Sequence, residues 1–185
     1  MKKFMGGLGL AAVLAASIAA APGFAATPIV GGAKMLPSKT IVENASQAKN
    51  LTTLVAAVKA AGLVDTLSGA GPFTVFAPTN AAFSKLPAAT VPTLLKPENK
   101  QKLASILTYH VVSGRLSAAD LVAKVKQGGG SAQLTTVEGE PLTVKLARGG
   151  VTVTDAKGDV SRVTKADVFQ SNGVVHVVNT VLLPN

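Results

Sequence analysis

Hydrophobic positions change period partway along the chain. Leu51, Leu54, Val55 and Val58 fall at i, i+3, i+4 and i+7, and Leu103, Ile106 and Leu107 share one helical face with His110 seven positions after Leu103. This is the spacing of amphipathic helices. From Ser131 onward the period is two: residues 133–137, 142–146, 151–154 and 161–168 alternate or carry β-branched side chains, with turn signals at Glu138-Gly139, Arg148-Gly149-Gly150 and Lys157-Gly158. These are half-buried strands, with Leu142, Val144 and Leu146 expected inward and Thr143 and Lys145 outward. Lys145, Lys157, Arg162 and Lys165 decorate this half, and are expected to keep strand edges from pairing with other chains.

Helix starts are marked by side-chain oxygens. Thr40 and Glu43 have capping-box spacing and predict a helix over 41–48, and Asn50 is the candidate cap of the next, ending near Gly62. Leu116, Ser117, Asp120 and Leu121 form a capping-box-like pair with a hydrophobic staple around a helix at 118–126, ended by Gly128-Gly129-Gly130. Pro87, Pro92 and Pro97 break residues 86–96 into short pieces before a helix at 98–108. Asn44 and Asn50 also begin N-x-S/T triplets, but at helix positions, which points to structural roles.

Two stretches depart from the simple division into halves. In 71–83, GPFTVFAPTNAAF, a Gly-Pro turn leads into a β-branched and aromatic strand, Pro78 stops it, and Thr79 caps a helix. In 171–184, SNGVVHVVNTVLLP, Asn172-Gly173 signals a turn, and residues 174–183 are too apolar on both faces for an edge strand. They predict a central strand covered on both sides. An early strand among helices must pair with the later strands to be buried, which makes the class α+β.

The first residues read differently. Lys2 and Lys3 precede an apolar run at 8–21, too short for a comfortable membrane span, and Gly23-Phe24-Ala25 places small residues at the cleavage-determining positions. Residues 1–25 are thus expected to be a signal peptide cut after Ala25, leaving no stable membrane anchor. The chain has no Cys, which excludes a lipid-modified cysteine and disulfides. Residues 26–36, with Gly31-Gly32 and Pro28, are expected to be a flexible arm before one domain at 37–185.

Removing Lys2 and Lys3 lowers the formal charge from +9 to +7. Such a balance favours anionic cell-surface polymers or lipid headgroups. Nucleic acid is disfavoured, because the cations are dispersed and the chain offers one Tyr and no Trp for stacking on bases. His110 and His176 lie far apart in sequence with no Cys, giving no metal-ligand spacing. There is no Gly-x-Ser-x-Gly elbow, no phosphate-loop Lys after the glycine run and no paired-carboxylate motif. No cofactor, metal or catalytic residue is indicated, and the expectation is a non-enzymatic protein. His110 and His176 read as buried, hydrogen-bonded imidazoles.

The two apolar stretches, with Tyr109-His110 between them and in that order, resemble the fasciclin-type (FAS1) domain over residues 37–184. The resemblance implies a β-sandwich-like core with helices packed on one side, and a secreted, periplasmic or cell-surface protein in adhesion or extracellular interaction. Its implied partners are a cell-surface or matrix protein or a polysaccharide, with a monomer expected. By the same resemblance the candidate binding residues are Tyr109, His110, Asp167 and Val168, where Asp167-Val168 replaces the Asp-Ile of animal members. An alternative is carriage of a small apolar ligand, carotenoid- or lipid-like.

Overall fold

The computed structural model describes residues 27–148 and 150–185. The expected signal peptide and its cleavage position Ala25 lie outside the described residues. The first described residues are not a loose arm. β1 (Ile29–Val30) and β2 (Ala33–Lys34) form a small hairpin, and Val30 and Met35 are buried against the helices. Two apolar side chains with a core to enter outweigh the flexibility of Gly31-Gly32.

Three helices follow: α1 (Ile41–Ala45), α2 (Thr52–Ala61) and α3 (Val64–Ser68). Thr40 and Glu43 form the expected capping box, which also holds the Glu43 carboxyl below its usual range through the Thr40 N–H and hydroxyl. Asn50 does not cap α2. The amide of Thr53 donates instead to Asn80 Oδ1 at 3.0 Å, so the cap comes from 27 residues downstream. Sequence spacing shows only local caps, and this one exists only after β3 and α2 have packed.

β3 (Phe73–Pro78) leads into α4 (Asn80–Phe83), whose cap is Thr79 Oγ1, bonded to the Ala82 N–H. The proline-rich segment becomes α5 (Thr90–Leu94) and a 3-10 turn (Pro97–Asn99) before α6 (Lys100–Tyr109) and β4 (Val111–Ser113). Ser117 and Asp120 box the start of α7 (Ala118–Gln127), and Leu116 and Leu121 close its staple in one core cluster. The remaining strands are β5 (Ser131–Thr135), β6 (Pro141–Ala147), β7 (Gly150–Thr154), β8 (Val160–Gln170) and β9 (Gly173–Val178).

These strands form one seven-stranded sheet in the order β4-β3-β9-β8-β7-β6-β5. The sheet curls until Val112, on β4, bridges Thr136, just past β5. β9 lies parallel to β3, Phe73 opposite Gly173 through Pro78 opposite Val178, and antiparallel to β8. Every residue of β9 is buried, as its apolar run predicts, but the strand ends at Val178 rather than 183. Val175 and Val177 enter a core shared with α1, α2 and α6, and Val178 enters a second core inside the curled sheet with Phe76, Tyr109 and Leu142. The α+β class and the sandwich-like arrangement with helices on one side are therefore observed.

Two strand details differ from the pattern. Leu146 is 42% exposed because β6 runs past the core at that end. Lys145 and Arg162 are not edge guards: β6 is paired on both sides at Lys145, and Arg162 faces Thr152 of β7.

The β3–β9 seam admits no extra atoms. A Cβ on Gly173 would lie 2.2 Å from the Phe73 carbonyl oxygen. Phe76→Ala is expected to lower stability by about 3–5 kcal/mol, and Gly173→Ala to cost at least several kcal/mol through backbone overlap. Urea midpoints check both, and an unchanged midpoint for either would contradict the shared-wall arrangement.

Candidate functional site

The Tyr-His pair lies where α6 ends. Tyr109, the last residue of α6, points into the inner core with no exposed surface; its hydroxyl donates to the Pro141 carbonyl at 3.2 Å and accepts the Ala156 N–H at 2.9 Å. Burial pushes its phenol pKa up. His110 caps the helix and is also buried. Its Nδ1 donates to the Ile106 carbonyl at 2.8 Å, which leaves Nε2 to accept the Leu182 N–H at 2.9 Å. Burial is the leading reason its pKa is pushed down to about 4.

The Leu182 contact belongs to a wider arrangement. Residues 179–185 continue from β9 outside the strand; the Asn179 N–H still reaches the Arg162 carbonyl at 3.2 Å, and beyond it side chains hold the backbone. Ser161 Oγ donates to the Thr180 carbonyl and accepts the Thr180 N–H, His110 takes Leu182, and Asp155 Oδ2 accepts the Leu183 N–H at 2.9 Å. Asp155 Oδ1 meanwhile closes its own turn on the amides of Lys157 and Asp159. Sequence reading missed Asp155 as a tail anchor. Its place two residues before Lys157-Gly158 marks an Asx turn, but not the second carboxylate oxygen's distant partner.

The other predicted residues gather around the start of α7. Asp167 lies at an irregularity in β8 with φ +56°, and its Oδ1 accepts the Ala118 N–H at 2.7 Å. This adds a distant cap to the one from Ser117. Next to it, His176 donates from Nε2 to the Leu116 carbonyl at 2.8 Å, and its Nδ1 faces the Asp167 N–H at 3.4 Å. Burial pushes its pKa down. Its ring lies 5.7 Å from that of Phe76, centre to centre. Val168 is fully buried.

Tyr109 and His110 thus stand apart from Asp167 and Val168, tied into different parts of the same fold. Three of the four have no surface to offer a partner, and Asp167 spends its carboxylate on α7. A third buried polar centre lies at the turn that Asn172-Gly173 signals in the sequence. Asn172 accepts the Ile41 N–H at 3.1 Å and donates to the carbonyls of Leu67 and Gly69, which joins the helical layer to the turn before β9. Beside it, Asn44 bonds Leu36 and Gln170, consistent with its structural reading.

An apolar crevice between α1, α2, α3 and α6 has room for about 30 Å³. That is space for a water or two, while a larger and more open groove of about 690 Å³ runs along α5, α6 and the C-terminal residues, with Thr93, Leu94, Ile106 and Leu183 among its walls. Among the described residues, no three His, Cys, Asp or Glu side chains gather as a metal ion would require. No described helix is long and apolar enough to cross a membrane.

The arrangement defines a class of protein. A fasciclin-domain profile matches residues 49–184, and the chain belongs to the fasciclin family. It is 50% identical to Protein sll1483 of Synechocystis over 156 residues, covering 84% of this chain and 79% of that one. It is 40% identical to the cell surface glycolipoprotein MPB83 of Mycobacterium bovis over 145 residues, covering 76% of this chain and 58% of that protein. Among solved structures, a FAS1 domain pair from the insect cell adhesion molecule fasciclin I superimposes with a TM-score of 0.71 at 23% identity, over 80% of this chain and 51% of that one. At that identity the likeness concerns the fold.

Both histidines are held neutral, and this sets a pH dependence. The His110 pKa falls from an unfolded value near 6.5 to about 4, so its contribution is fully present above pH 6.5 and is lost as pH falls toward 4. Stability is expected to drop by roughly 3 kcal/mol across that window from His110, with His176 adding in the same direction. Urea midpoints from pH 7 to 4 test this: His110→Gln should begin less stable and show a shallower slope, and equal slopes would refute the assignment. Asp167→Ala, which leaves Ala118 without its carboxylate at a left-handed position, should cost about 1–2 kcal/mol. Asp167→Asn should be nearly neutral by the same measurement.

Proposed function

We propose that this protein is exported and acts without catalysis as a surface interaction module, contributing to adhesion between cells or between cells and their surroundings. The observation that carries the reading is the fasciclin-family match over residues 49–184, together with a relative at 40% identity named as a cell surface glycolipoprotein. The internal chemistry is consistent with it. Both histidines, the tyrosine and Asp155 have their hydrogen-bonding capacity directed at the protein's own backbone. What remains for a partner is the outer surface.

Export and adhesion are tested separately. Protein recovered from outside the cytoplasm is expected to have the intact mass of a chain beginning at Ala26, and retention of residues 1–25 would contradict the leader reading. Cells lacking the gene should attach less to surfaces or to one another, and re-expression of the full chain should restore attachment. Unchanged attachment in the deletion strain would count against the adhesion reading.

A further inference from the structure

The carboxylates and the cations of this chain are used differently. Of its nine carboxylates, six accept backbone N–H groups: Glu43 from Thr40, Asp120 from Ser117, Glu138 from Glu140, Glu140 from Asn185, Asp155 from three amides and Asp167 from Ala118. They finish turns and helix ends. Some cations also serve the fold, Arg115 by donating to the Gln170 carbonyl at 2.6 Å and Lys85 to the Thr180 hydroxyl at 3.3 Å, and topology collects several others at one end of the molecule.

Strand directions locate that end. β6 and β7 are joined through Arg148, while the turn from β7 to β8 holds Asp155 and Asp159 at the opposite end of the same strands. Glu138 and Glu140, between β5 and β6, share the Asp155 end, because Thr135 pairs with Pro141. The Arg148 end also receives Ser131, the start of β5, which pairs with Lys145, and therefore the C-terminus of α7 just before it. β8 runs toward this end from Val160, through Arg162 opposite Thr152, to Lys165. Lys124, Lys126, Lys145, Arg148, Arg162 and Lys165 thus lie around one rim, all exposed. Arg162 also donates to the Arg148 carbonyl at 3.4 Å, joining two members of the group. The nearest carboxylates along these elements are Asp120, in the first turn of α7, and Asp167, two residues beyond Lys165 on β8; they accept from the Ser117 and Ala118 N–H groups.

The outer face of the sheet leading to this rim is hydroxylated. One row across four strands reads Ser131, Lys145, Thr152, Arg162, and the next reads Gln133, Thr143, Thr154, Val160. Lys145 and Arg162 are two strand spacings apart, about 10 Å. The face offers donors and acceptors in register, cations at intervals and no carboxylate. It offers neither Trp nor Tyr, the aromatics that lead protein–protein hot spots, since the chain has no Trp and its one Tyr is buried; Phe169, near the far end of β8, is 38% exposed. The same lack disfavours stacking on bases.

We infer that the outer face of β5–β8, with its rim at Arg148 and the end of α7, is a docking surface for an acidic polysaccharide whose carboxylates or sulfates meet the cations while its hydroxyls meet the Ser, Thr and Gln rows. The inference rests on the interaction-module reading and names its partner class.

The test uses protein produced from the full chain and four probes: a polyuronate, a neutral dextran of similar length, duplex DNA, and vesicles of phosphatidylglycerol. Polyuronate should bind, dextran should not, and affinity should fall steeply with salt. The triple variant Lys124→Gln, Lys126→Gln, Lys145→Gln should bind polyuronate about tenfold or more weakly. The charge-matched control Lys49→Gln, Lys59→Gln, Lys100→Gln, on the helical side, should bind nearly as well as the natural protein. Urea midpoints show that both variants fold. Equal loss in the two variants would mean that net charge alone was at work, and would overturn the proposal. So would tighter binding to vesicles or DNA than to polyuronate. If the rim variant loses polyuronate but fully restores attachment to deletion cells, this surface is wrong while adhesion stands; if the natural chain restores none, the adhesion reading itself fails.

Discussion

The parallel pairing of β3 with β9 is the constraint on which the rest depends. The two strands lie far apart in sequence and form a wall with a core on each side: Val75, Ala77, Val175 and Val177 face the helices, and Phe76 and Val178 face the inside of the curled sheet. Neither core can be completed without it. A wall buried on both faces has no place for an unpaired polar group, so every polar side chain near it must have a partner. His176, on the wall itself, meets Leu116 and Asp167, and Asn172, at its entrance, gathers three backbone groups from the helical layer.

The same requirement explains why residues that look chemically promising serve the structure. A histidine at the end of a buried helix must find both a donor and an acceptor role, and His110 does so between Ile106 and Leu182. The C-terminal segment in turn needs substitutes for the ladder bonds it lacks, and Ser161, His110 and Asp155 provide them. The Tyr-His pair and the buried carboxylate are thus parts of one device that closes the inner core under Leu182.

With the interior accounted for, charge becomes the surface's main variable. Carboxylates placed at helix starts and turns are favoured there by the orphan amides they cap, and Glu43 and Asp120 do this while staying exposed. Lys and Arg outnumber the acids 18 to 9 in the composition. Strand pairing gathers the cations at the Arg148 end without any block of like charges in the sequence.

Much of this was legible in the chain. Local rules sufficed for the capping boxes at Thr40 and Ser117, the strand and helix start around Phe73–Pro78 and Thr79, the change of period at Ser131 and the doubly apolar strand at β9, because each depends on a residue and its near neighbours. Burial of both histidines was also readable, since each sits on an apolar face. Tertiary structure alone decided what crosses long stretches of sequence: the cap of α2 by Asn80, the bond from Asp155 to Leu183, the burial of Val30 and Met35, and the interior placement of Lys145 in the sheet. Periodicity tells which face of a strand is wet, but not which strands flank it. A polar side chain announces that it needs a partner, but only the folded chain brings that partner within reach.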